Sequence, residues 1–168
     1  DPNPAGASSS RTSVNIDGRY VVVSNRASYT VTKVAATAVD CVDKNGNGSI
    51  ETSQNKDDLL PWGTDECVLW NVPVNPISFG YQGGPRGTAW APGDFNPQTC
   101  KYENQKVWVG WMDAPLHATI GRFDGLTGVQ DATIPLDNWT SQISPYGAAA
   151  DGNGYIWTIN VYQELIRI

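Results

Sequence analysis

The sequence predicts an all-β protein made of small antiparallel sheets repeated along the chain. Three observations carry this: a composition rich in aromatic and turn-forming residues, apolar residues that alternate with polar ones over short runs, and self-similarity between distant segments. The 168 residues include seven Trp, seven Tyr, 17 Gly and 11 Pro, a balance that favours short strands and frequent turns over helices. One medium-sized domain with its own core fits this length.

The first strand pair is read in "YVVVSNRASYTVTKVA", Tyr20 to Ala35, where Val, Thr and Tyr dominate as they do in pleated, half-buried strands. The same layout returns twice. "NIDGRYVVVSNRASYTVTKVA", "YENQKVWVGWMDAPLHATIGRFD" and "AADGNGYIWTINVYQELIRI" each give a turn, an alternating strand, a polar loop and a second strand with a basic residue among apolar ones. Val21, Val107 and Ile156 correspond in the first strand, and Lys33, Arg122 and Arg167 in the second. "PRGTAWA" from Pro85 and "PYGAAAD" from Pro145 match as a preceding strand. A three- or four-stranded unit cannot bury both faces alone and must stack on its neighbours, which is the logic of β-propeller blades. The fold class expected is therefore all-β, about three partial blades of the four-stranded antiparallel type. Closure ordinarily takes four or more blades, so the expectation is a longer protein or several copies closing a ring, with residues 1–168 as one propeller domain or fragment.

Between the first two units lies "DCVDKNGNGSIETSQNKDDLLPWGTDEC", Asp40 to Cys67. Asp43, Asn45 and Asn47 occupy positions one, three and five of a calcium loop, and Gly48 stands at six, where the chain turns sharply. Ser49 offers its carbonyl at seven, and Glu51 is a candidate ligand at nine. Position twelve holds Gln54 where an EF-hand has a bidentate Glu, so a carboxylate must come from elsewhere. Asp57, Asp58, Asp65 and Glu66 are within the segment; Asp65 or Glu66 is favoured, because a Cys41–Cys67 bridge returns that end to the loop. The flanks read as strands rather than helices, so the element is an EF-hand-like, dockerin-like loop inserted at 40–67 of a β framework, ordering itself with Ca2+ and a disulfide. The alternative is an Asn/Gly-rich turn without metal.

Several function classes are disfavoured. A formal net charge of −6 and the lack of a basic run argue against a phosphate-backbone partner, and no apolar run is long enough to span a bilayer. Disulfide and calcium together suggest a secreted, extracellular or cell-surface protein whose signal, given the start "DPNPAGASSS", would already be removed. Cys100 is left over, as a buried thiol or a bridge to another chain. Sequons occur at Asn47 and Asn138.

"PYGAAADGNGYIW" and "ATIGRFDGLTG" resemble the repeats of NHL-type propellers and, within them, the streptogramin (virginiamycin B) lyase-like group. The resemblance covers most of the chain outside the insertion. It implies propeller blades and, for the lyases, a histidine general base helped by an acid and Mg2+. The only histidine is His117, in "APLHATIGRF", which does not align with that catalytic position and reads as a solvated loop residue. The function expected is thus a binding or structural module for a protein, a glycan or its own copies, and the alternative is a lyase using His117. Trp108 and Trp157 are expected in the core; Trp62, Trp111 and Trp139 are expected in loops, as ligand platforms or edge caps.

Overall fold

The computed structural model describes residues 8–74, 80–161 and 165–168; the end of "VLWNVPVNPI" and the middle of the last unit's polar loop lie outside them. The protein is all-β. Its first sheet is a meander of β1 (Ser9–Val14), β2 (Tyr20–Asn25), β3 (Thr30–Ala35) and β4 (Val68–Pro73), paired in that order. The second pairs β5 (Thr88–Ala91) with β8 (Lys106–Ala114), then β9 (His117–Asp124) and β10 (Gln130–Leu136). Between β5 and β8 a separate hairpin, β6 (Asp94–Asn96) and β7 (Lys101–Glu103), stands off the sheet. The third sheet contains β11 (Gly147–Ala150), β12 (Ile156–Ile159) and β13 (Leu165–Arg167). All pairings are antiparallel.

The repeat units of the sequence coincide with these sheets. Val22 lies opposite Lys33, Trp108 opposite Arg122 and Trp157 opposite Arg167, so each unit places its cation at one register position. "PRGTAWA" and "PYGAAAD" supply β5 and β11, the first strands of their sheets. The first strands neighbour one another: β1 packs on β5, and β5 on β11.

Period-two alternation decides what each face touches. From the first sheet Val22 and Val31, with Val74 just past β4, meet Trp90, Val107, Val109, Trp111 and Phe123 of the second. The second sheet's opposite face carries Met112, Ala118, Ile120 and Leu136, closed by Trp139 and by Ile166 and Ile168 beyond it. Burying a side chain such as Phe123, 1% exposed, contributes about 2–3 kcal/mol. Gly121 is fixed by this packing, since a Cβ there would come within 2.4 Å of the Trp111 ring.

The aromatic expectations divide. Trp111 is a correction: it belongs to β8, not a loop, and is 1% exposed in the core, because β8 runs farther than the corresponding β12. Trp139 is in a loop but buried, its indole N–H donating to the Ile143 carbonyl at 3.0 Å. Trp108 and Trp157 are half-buried under Arg122 and Arg167, and Trp62 is exposed in the insertion. Cys100 is a free, exposed thiol at the β6–β7 turn, which corrects the buried reading. Among the described residues no helix is long and apolar enough to cross a membrane.

Candidate functional site

The insertion leaves the first sheet after β3 and returns at β4. Cys41 and Cys67 form a disulfide with their Cα atoms 4.4 Å apart, and the Ala35 N–H donates to the Cys67 carbonyl at 2.8 Å. The loop therefore starts and ends at one place. Inside it the backbone folds around Asp43, whose Oδ1 accepts from Gly46 and Asn47 at 2.6 and 3.2 Å and whose Oδ2 accepts from Gly48 at 2.8 Å. Asn45 and Asn47 repeat this one step on, accepting from the N–H groups of Asn47 and Ser49 at 2.9 and 2.8 Å. Such Asx turns need a chain free to enter positive φ, which Gly46 and Gly48 provide at +72° and +83°.

Glu51 faces this turn. Its two oxygens accept from the side-chain amides of Asn45 and Asn47 at 3.3 and 3.0 Å, so positions one, three, five and nine share one side of the loop. Asp65 and Glu66 take a different part. Glu66, 1% exposed, accepts from the backbone of Lys44, Asn45 and Glu51 at 2.8, 3.3 and 2.8 Å. The Glu51 N–H, then those of Lys44 and Asn45, hold its carboxyl below the usual range against the opposing effect of burial. Asp65 accepts from Ser53 and Cys67, both at 3.0 Å. Burial raises its carboxyl, but these bonds outweigh it and leave it lowered. Asp57 pairs with Lys56 on the surface, and Asp58 closes a turn with Asn55.

Among the described residues no three His, Cys, Asp or Glu side chains gather as a metal-holding group. A cation in the loop would rest on Asp43, Glu51 and the amide and backbone oxygens of Asn45, Asn47 and Ser49. That hard, all-oxygen set suits Ca2+ and not a thiolate- or imidazole-seeking metal. Asp65 and Glu66 would then act as clamps on the loop backbone.

The second candidate is His117. It opens β9 across a tight turn from Asp113, with Leu116 at φ +55° between them. Its Nδ1 meets Asp113 Oδ1, and Thr119 donates to the other carboxylate oxygen at 2.7 Å. Burial raises the Asp113 carboxyl, but the bonds from His117 and Thr119 outweigh it and hold it below the ordinary range. The acid partner that sequence reasoning missed stands four residues upstream, and "DAPLH" carried the signal: Asp and His flanking a Pro-containing hairpin turn. Asp113 and Thr119 line a cavity of about 370 Å3 with Pro73, Val74 and Trp111; His117 sits outside that lining, its side chain 43% exposed.

Comparison with family profiles and with curated proteins returns no match to this chain.

The clamp and the bridge carry an expected outcome. Cys41→Ser with Cys67→Ser should cost on the order of 3 kcal/mol by the chain-entropy argument. Limited proteolysis should then cut first within 42–66, with strand circular dichroism retained. Cleavage starting in β8 or β9 would show that the insertion supports the sheets.

Proposed function

We propose that the chain is a β-propeller-type module of the cell exterior, secreted or surface-bound, that binds or assembles through stacked sheets and is ordered at its insertion by Ca2+. The observation that carries this reading is the way faces are handed on. The first sheet's Val22–Val31 face is covered by the second sheet, and the second sheet's Met112–Ile120 face by the third. The equivalent face of the third sheet bears Trp157, Ile159, Leu165 and Arg167 in register, with Ile159 43% and Leu165 64% exposed. A further sheet of the same kind, from the same polypeptide or another copy, has the shape and chemistry to cover it.

The His117–Asp113 pair favours the lyase-type alternative, since a base needs an orienting acid. Its half-exposed place outside the cavity favours binding. Purified protein with Mg2+ should not linearise cyclic depsipeptides, and turnover abolished by His117→Ala would reverse the order of the two readings.

The assembly reading predicts concentration-dependent association in sedimentation, removed by Ile159→Asp with Leu165→Asp while the melting temperature holds. A wild-type chain that stays monomeric at every accessible concentration would sink it. Calcium should raise the melting temperature by several degrees, and Asp43→Ala should abolish most of that shift. An undiminished shift in the variant would move the ion elsewhere.

A further inference from the structure

The repeated cation occupies the seam between successive sheets, and its surroundings differ from seam to seam. At the second seam Arg122 meets Asp131 at 2.6 Å and lies over Trp108. Across a cavity it faces the turn Gly152–Gly154 of the third sheet. At the first seam the corresponding residue is Lys33, and across a cavity of about 240 Å3 it faces the equivalent turn, Asn104 and Gln105. Lys33 is 3% exposed and makes no ion pair among the described residues. Its Nζ donates to the Gly125 carbonyl at 2.7 Å and lies 4.0 Å from the Tyr20 ring centroid and 5.8 Å from that of Trp90.

A buried ammonium with one carbonyl for company is poorly compensated. The one carboxylate in the lining, Asp124, is already engaged. Its Oδ2 takes Lys106 at 2.9 Å, and its Oδ1 takes the N–H groups of Leu126 and Thr127 and the Thr127 hydroxyl. Trp90, 8% exposed, adds a second aromatic ring near the ammonium to the lining. An ammonium carries three N–H donors and the Gly125 carbonyl takes one, so the remaining donor capacity of this buried cation suits an anionic acceptor. Tyr20 and Tyr102 add aromatic walls and Asn104 an amide. A cavity of this volume has room for one substituted six-membered ring.

We propose that this seam is a binding site for a small acidic sugar, its carboxylate on Lys33 Nζ and its ring against the tyrosines. The site does not depend on the stacking of further sheets. At the second seam Asp131 already neutralises Arg122, so the equivalent cavity has no call for an anion.

The charged and titratable groups around Lys33 are Tyr20, Tyr102 and Asp124, with Lys106 and Asp131 behind Asp124, Asp17 behind Gln105 and Arg19 over the outer part of Tyr20. Burial pushes the Lys33 amine down to about 8, with Asp124 opposing. The amine is thus charged below about pH 8 and neutral above it. Glucuronate, ionised throughout, should bind saturably to the full chain at pH 7 by ligand-observed NMR and weaken roughly tenfold or more by pH 9.5. Glucose should bind at least tenfold more weakly at pH 7. Lys33→Met, folded by its melting curve, should lose the preference for glucuronate. If Lys33→Met does not fold, the wild-type pH series and the glucose comparison decide. Glucuronate binding that is absent, independent of pH, or no tighter than that of glucose would overturn the assignment.

Discussion

A sheet has two faces, and in this protein contact with a neighbouring sheet is what takes them out of water. The requirement explains the core more fully than any strand propensity does. Val22 and Val31 are buried because Val107, Val109 and Phe123 arrive from the next sheet, and Met112 and Ile120 because Ile166 and Ile168 arrive from the one after. Trp111, Gly121 and Phe123 are consequences of the same contact. The indole lies over the glycine and beside the phenyl ring, 6.3 Å between centroids, which a larger residue at 121 would prevent.

The seams are also where charge is buried. Each unit places a cation on the face that the next sheet would cover, above aromatic carbon: Lys33 on Tyr20, Arg122 on Trp108, Arg167 on Tyr155 and Trp157. Ring quadrupoles compensate such cations only in part. Arg122 completes its compensation with Asp131, and Lys106 sits 2.9 Å from both Asp124 and Asp131. One scaffold position thus takes two electrostatic solutions, and the seam lacking a carboxylate on its cation retains unused donor capacity.

Much of this was legible in the sequence, and the parts that were not have physical causes. Val21, Val107 and Ile156, with Lys33, Arg122 and Arg167, align by eye because strand alternation and sheet register impose the spacing. The extent of β8 was not legible: "WVGWMDAPL" continues as strand through Trp111 while the corresponding β12 stops after four residues. The β6–β7 hairpin was not legible either, since three-residue strands leave no periodicity to detect. The Cys41–Cys67 bridge was legible and is present. Sequence cannot say whether a carboxylate faces an ion or a peptide N–H. Asp65 and Glu66, expected as ligands, accept from backbone donors, as Asp43 does too. Asp113 was passed over because its tie to His117 crosses a hairpin turn.

The two ends of the insertion meet where β3 ends and β4 begins, with Val34 opposite Val68 and Ala35 bonded to Cys67. From the standpoint of the sheet, everything from Thr37 to Glu66 occupies the place of a hairpin turn. Such a segment can be lengthened, shortened or exchanged without shifting the register of any strand, because loop length adds only slowly to closure entropy. The junction is therefore a natural cassette: a tight two-residue turn should replace the whole insertion, and the excised loop, closed by its own disulfide, should be transplantable into another β-hairpin whose strand ends present the same 4.4 Å Cα spacing.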